Sequence, residues 1–173
     1  MKRLFLAALV LVAPTLTAQT IMIPTLQVCN IGKASGTAQI YLSRRDELST
    51  SGTIDITMAD VGCDSQSSTP YPHGTISMRF SLSDSTISDM QVTLIEQMTT
   101  FGKHTTTMMM NGRCTANGGT IPCHFWLMLS NNKWNAVDSP ADVASVLVVS
   151  NMGSYLAYGT GPIKTGDISV TQF

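Results

Sequence analysis

Apolar and polar residues alternate along much of this chain. Ile54, Ile56 and Met58 alternate with Asp55 and Thr57, and Ile76, Met78, Phe80 and Leu82 with Ser77, Arg79 and Ser81. A period of two gives an extended chain one core face and one solvent face, so the pattern predicts half-buried strands. Four such stretches open on Gly-Thr: SGTAQIYLSR from Ser35, SGTIDITMAD from Ser51, HGTISMRFSL from His73 and GGTIPCHFWL from Gly118. The spacings between the Gly-Thr pairs, 16, 22 and 45 residues, exclude a solenoid repeat. The pair is a shared way of leaving a turn and entering a strand.

Further strands are predicted at Gln91–Met98, Thr105–Asn111, Val143–Val149, Ser154–Thr160 and Asp167–Gln172. Asn151-Met152-Gly153 turns the third of these onto the fourth. The one helical signal is Ser139-Pro140-Ala141-Asp142, an N-cap with a first-turn proline, long enough for a turn or two. Eight to ten short strands between Gly, Ser and Asn turns predict an all-β fold. The architecture expected is an antiparallel β-sandwich of immunoglobulin-like or jelly-roll type. A membrane barrel is disfavoured by phase, because Thr171 and Ser169, not Ile168 and Val170, share the face of the terminal Phe173.

Before the strands, MKRLFLAALVLVAPTLTAQT has two basic residues, an apolar run from Leu4 to Ala13, and a small residue at Ala18. That is a secretory signal at 1–18, cleaved near Ala18 and too short to span a bilayer. Residues 19–173 then form a single domain, secreted or periplasmic in a bacterium, without a transmembrane anchor. Loss of Lys2 and Arg3 moves the formal charge from −1 to −3, with no basic run to attract nucleic acid. Polarity comes from hydroxyls, 18 Ser and 22 Thr against 21 charged residues, and threonine suits the solvent face of a strand.

Four cysteines behind an export signal imply two disulfides with three possible connectivities. Local geometry favours Cys114–Cys123, leaving Cys29–Cys63. If Gly118-Gly119 are the turn residues, Asn117 faces Thr120 and Cys114 falls opposite Cys123 on a non-hydrogen-bonded pair, within disulfide reach. Pro122 lands where its missing N–H would bond Thr115, so that rung requires a bulge or an exposed edge.

This register sorts the stretch HTTTMMMNGRCTANGGTIPCHFW, from His104 to Trp126. Met108, Met110 and Cys114 join Cys123, Phe125, Leu127 and Leu129 on an apolar core face. The other face carries Met109, Asn111 and Arg113 beside His124, Trp126 and Met128. His, Met and Trp together suggest a Cu(I) site. Yet His124 lies about 13 Å along the strand from Met128, and His104 about 13 Å from Met108, too far to share an ion.

No nucleophile elbow, His-Glu-x-x-His or similar catalytic signature occurs. Asp60/Asp64 and Asp84/Asp89 are turn formers. Trp134, in the polar run Asn131–Asn135, is a second aromatic suited to a partner. The expected function is therefore an exported, non-enzymatic binding or structural module without a cofactor. Its partner, a protein or glycan at the cell surface or in the periplasm, meets Met109, Arg113, His124, Trp126, Met128 and Trp134. The alternatives are a carbohydrate-binding module using exposed Trp and Tyr, and a periplasmic copper-binding protein using Met and His.

Overall fold

The computed structural model describes residues 32–42, 51–63, 72–101, 106–132 and 141–172, the side chains of 101, 106, 171 and 172 excepted. The eight strands are β1 (Gly32–Leu42), β2 (Gly52–Cys63), β3 (Pro72–Leu82), β4 (Asp89–Phe101), β5 (Thr106–Ala116), β6 (Ile121–Asn131), β7 (Val143–Ser150) and β8 (Tyr155–Gln172). Each pairs antiparallel with its sequence neighbours, and β8 returns to β1, which closes an up-and-down barrel.

Closure overturns the expected sandwich. Alternation tells which side of a strand meets the core, and both architectures satisfy it equally. β8 decides between them. From Tyr155 to Pro162 it pairs with β7, and from Ile163 to Gln172 with β1. The strands expected at Ser154–Thr160 and Asp167–Gln172 are two parts of this one 18-residue strand. Lys164 is an extra residue opposite the step from Gln39 to Ile40, a bulge that bends β8 between its two partners. Strand order follows chain order throughout, so neither immunoglobulin nor jelly-roll crossovers are present.

The inside of the barrel is filled by the apolar half of the alternation, with Ile40, Ile54, Ile76, Met108 and Phe125 wholly buried. An eight-stranded barrel is narrow enough for side chains to fill it. The outside of β1–β3 is hydroxyl-rich and charged. Gln39 Nε2 there donates to Asp55 Oδ1 at 2.7 Å, and Lys33 and Arg79 are exposed. Among the described residues no helix is long and apolar enough to cross a membrane.

The Gly-Thr motif has a different meaning from the one expected. Gly36 is inside β1, just past a register shift against β2, with φ at +129°. A Cβ there would lie 2.1 Å from the Asp167 carbonyl oxygen of β8. Gly52 and Gly74 have the same kind of φ, with backbone atoms 1.9 and 2.5 Å from where a Cβ would lie. These glycines mark points where one strand presses on the next, and only Gly118-Gly119 belongs to a turn.

That turn sets the β5–β6 hairpin. Thr106 to Ala116 pair with Asn131 to Ile121 without a shift, placing Cys114 against Cys123 with Cα atoms 4.8 Å apart and the disulfide formed. The expected register holds, but the connection is four residues, Asn117–Thr120, and its backbone bond runs from Gly119 N–H to the Ala116 carbonyl. Asn117 joins Gly118 and Gly119 at positive φ. Pro122 needs no bulge, because it lies only one residue inside β6 and is exposed. By loop entropy this nine-residue separation adds about 2.5–3 kcal/mol. Cys63 ends β2 and is buried, and Cys29 lies outside the described residues. So do His104, Trp134 and the Ser139-Pro140 start of the expected helical turn.

Asp89 ties this hairpin to β4. Its Oδ1 accepts from Gly118 N–H at 2.9 Å and its Oδ2 from the Ser88 hydroxyl at 2.7 Å. Those bonds, Gly118 first, hold its carboxyl below the usual aspartate range, with a smaller contribution from Arg79. Expected to form a turn of its own, Asp89 instead begins β4 and caps the turn of the neighbouring hairpin.

Candidate functional site: an apolar outer wall

Three rows of cross-strand neighbours cover the outside of β4–β8. The middle row runs Gln97, Asn111, Trp126, Leu147 and Tyr158. On one side lie Thr99, Met109, Met128, Ser145 and Thr160, and on the other Leu94, Arg113, His124, Val149 and Tyr155. Directly opposed side chains are about 5 Å apart, so each row is a chain of contacts.

Trp126 is 45% exposed, Met109 46% and Tyr158 46%, which places large apolar groups in solvent side by side. Met109, Met128, Trp126, Leu147, Asn111 and Gln97 help to line an open groove of about 510 Å³. That volume is within the usual range of ligand sites. Elsewhere the outer wall is mostly Thr, Ser and charge, with exposed Tyr41 of β1 standing apart, so the contiguous apolar rows are those of β4–β8.

Polar groups around the strip are bonded to one another. Asn111 Nδ2 donates to Gln97 Oε1 at 3.0 Å, and the Ser145 and Thr160 hydroxyls meet at 2.6 Å. Arg113 Nε donates to Glu96 Oε1 at 2.8 Å, so this guanidinium is already engaged within the barrel. Of the residues singled out from sequence, Met109, Arg113, His124, Trp126 and Met128 therefore share one wall. His124 and Met128 occupy the outer rows with the Trp126 row between them. Among the described residues, no three His, Cys, Asp or Glu cluster in a way that could hold a metal ion.

Leu147 and Val149 belong to the wall without having been singled out from sequence, and Tyr155 and Tyr158, candidate aromatics for a glycan, take their place in it only through the β6–β7–β8 pairing. The turn at Asn151–Gly153 sets Val149 opposite Tyr155, but a bulge at Leu156 then shifts the register by one residue and brings Leu147 to Tyr158 instead of Ala157. Nothing local joins β6 to β7, because residues 132–142 separate them.

Tyr155 donates its hydroxyl to Asp84 Oδ2 at 2.9 Å, pinning the wall to the β3–β4 connection. Desolvation first, then the bond to Asp84 and its charge, push the phenol up to about 12. The neutral form is favoured in the folded state, so this contribution is complete below pH 10 and is lost as pH rises from 10 through about 12. Phenolate absorbance should show one tyrosine titrating near 12, and Tyr155→Phe should flatten the fall of the urea midpoint over that interval. A Tyr155 titration near 10 would contradict the Asp84 contact.

Fold and wall together define an all-β closed barrel with one apolar outer side. No family model matches the chain, and no curated protein or solved structure is found to match it.

Proposed function

We propose that this is an exported, non-enzymatic module that binds a partner protein through the wall centred on Trp126. The observation carrying the proposal is the contiguous strip Met109, Met128, Trp126, Leu147 and Tyr158 on a barrel whose remaining outer surface is mostly hydroxyls and charge. Exposed aromatic and thioether groups in a polar rim are the composition of protein contact sites. Export is supported by the N-terminal signal pattern and by a disulfide of the kind that persists in oxidising compartments.

A glycan site is the second reading, favoured by Trp126 and Tyr158 in one row. The neighbours weigh against it. Sugar recognition needs several polar groups around the stacking face, whereas Met and Leu flank the indole and the Asn111 and Gln97 amides already spend one donor and one acceptor on each other.

The test places a photocrosslinking phenylalanine analogue at position 126, with the same analogue at Thr57 on the opposite, polar side as control. Irradiation of producing cells should give one discrete protein adduct from position 126 and none from position 57. Equal labelling at both positions, or none at 126, would refute the proposal. A glycan-array hit abolished by Trp126→Ala would establish the second reading instead.

A further inference from the structure

The chain has 11 methionines, and the barrel sorts them sharply. Met58, Met78, Met90, Met98, Met108 and Met110 are buried in the core. Met109 and Met128 point outward, Met109 exposed and Met128 half-buried. Met152, at the tip of the β7–β8 turn, is 95% exposed. The outward two differ from Met152 in their setting. They are a register pair of β5 and β6, so their side chains stand about 5 Å apart, and both line the groove with Trp126 and Leu147.

Leucine or valine would give the same apolar surface, but only a thioether can be made polar in place by a mild oxidant. We propose that Met109 and Met128 form an oxidation site at which a peroxide turns the wall from apolar to polar and releases the bound protein. The release rests on the docking reading above, whereas the site itself rests on the exposure and pairing of the two sulfurs. A sulfur lone pair of Met109 attacks one oxygen of hydrogen peroxide. The S–O bond forms as the O–O bond breaks, and the hydroxide that leaves takes the proton from the transferred oxygen and becomes water. Sulfur loses two electrons, which reduce the peroxide. Met128 reacts in the same way with a second molecule.

Each sulfoxide oxygen is a strong hydrogen-bond acceptor in the middle of a surface that a partner must dehydrate. An apolar partner group laid over it leaves that acceptor unpaired, which weakens binding by at least about tenfold. The barrel itself is unaffected, because both sulfurs belong to the outer face and touch none of the inner packing that closes it. The six inner methionines react only when the barrel opens. Mild oxidation therefore changes the wall without changing the fold.

Brief treatment of the folded chain with hydrogen peroxide, mapped by tandem mass spectrometry, tests the site. Met109 and Met128 should oxidise within about tenfold of the rate of Met152, and the six inner methionines at least about a hundredfold more slowly. If either Met109 or Met128 is as slow as Met108 and Met110, the site is overturned. For the release, chain carrying the photocrosslinking analogue at position 126 is oxidised alone, freed of peroxide and returned to untreated cell extract before irradiation. Its adduct should fall at least about tenfold, whereas a Met109→Leu/Met128→Leu chain should give the same yield with and without oxidation. Loss in both chains, or in neither, would overturn the release. If leucine itself abolishes the adduct, Met152→Leu decides: release that persists in that chain supports the proposal, and release that vanishes refutes it. No adduct even before oxidation would refute the docking reading and the release with it, while the oxidation map still decides the site.

Discussion

Phe125→Ala is expected to lower stability by about 3–5 kcal/mol, while Trp126→Ala, one residue on, costs about 1 kcal/mol or less. Phe125 is wholly buried inside the barrel, between Gly112 of β5 and Val148 of β7 on the ladder. Removing its ring leaves a cavity in a closed wall that has little freedom to collapse, and the cavity adds to the lost transfer energy. Trp126 points the other way and retains 45% of its exposure, so truncation gives back only part of its surface to water. Urea unfolding of the two variants measures the contrast. Equal losses would mean that the β5–β6 register is shifted by one residue, which would also bury the proposed docking wall.

Gly36→Ala should cost about 3–5 kcal/mol, a large share of the roughly 5–15 kcal/mol that holds an ordinary domain together. Two effects combine. Alanine is strained at a φ of +129°, and its Cβ would press into the Asp167 carbonyl oxygen across the closing seam. The damage should be local before it is global, with faster amide exchange at Ile168 and Val170, the β8 residues facing this part of β1. Gly118→Ala is the control. Gly118 also has positive φ, yet a Cβ there meets nothing within 4 Å, so the loss is about 1 kcal/mol. Thermal unfolding with matching losses for the two variants would argue that β1 and β8 do not press together as described.

Much of the candidate wall was legible in the sequence because it is built on a hairpin. A Gly-Gly turn and a nine-residue cysteine spacing point to one register, and alternation then sends Met108, Met110 and Phe125 inward and Met109, Trp126 and Met128 outward. Leu147 and Tyr158 were not legible, because their approach to Trp126 depends on a β6–β7 pairing that no short turn specifies.

By itself the sequence determined where most strands lie, their inner and outer faces, and the Cys114–Cys123 bridge, all of which follow from a period of two and local turn chemistry. Tertiary structure alone decided that the sheet closes on itself. Closure rests on long-range events: the bulge at Lys164 that bends β8 from β7 to β1, and the glycines that let neighbouring backbones touch. The same reason governs the short β3–β4 seam, where Ser77–Arg79 pair with Gln91–Asp89 and two bulges in β4 follow. Bulges change the direction of a strand without changing which of its residues are apolar, so alternation carries no record of them.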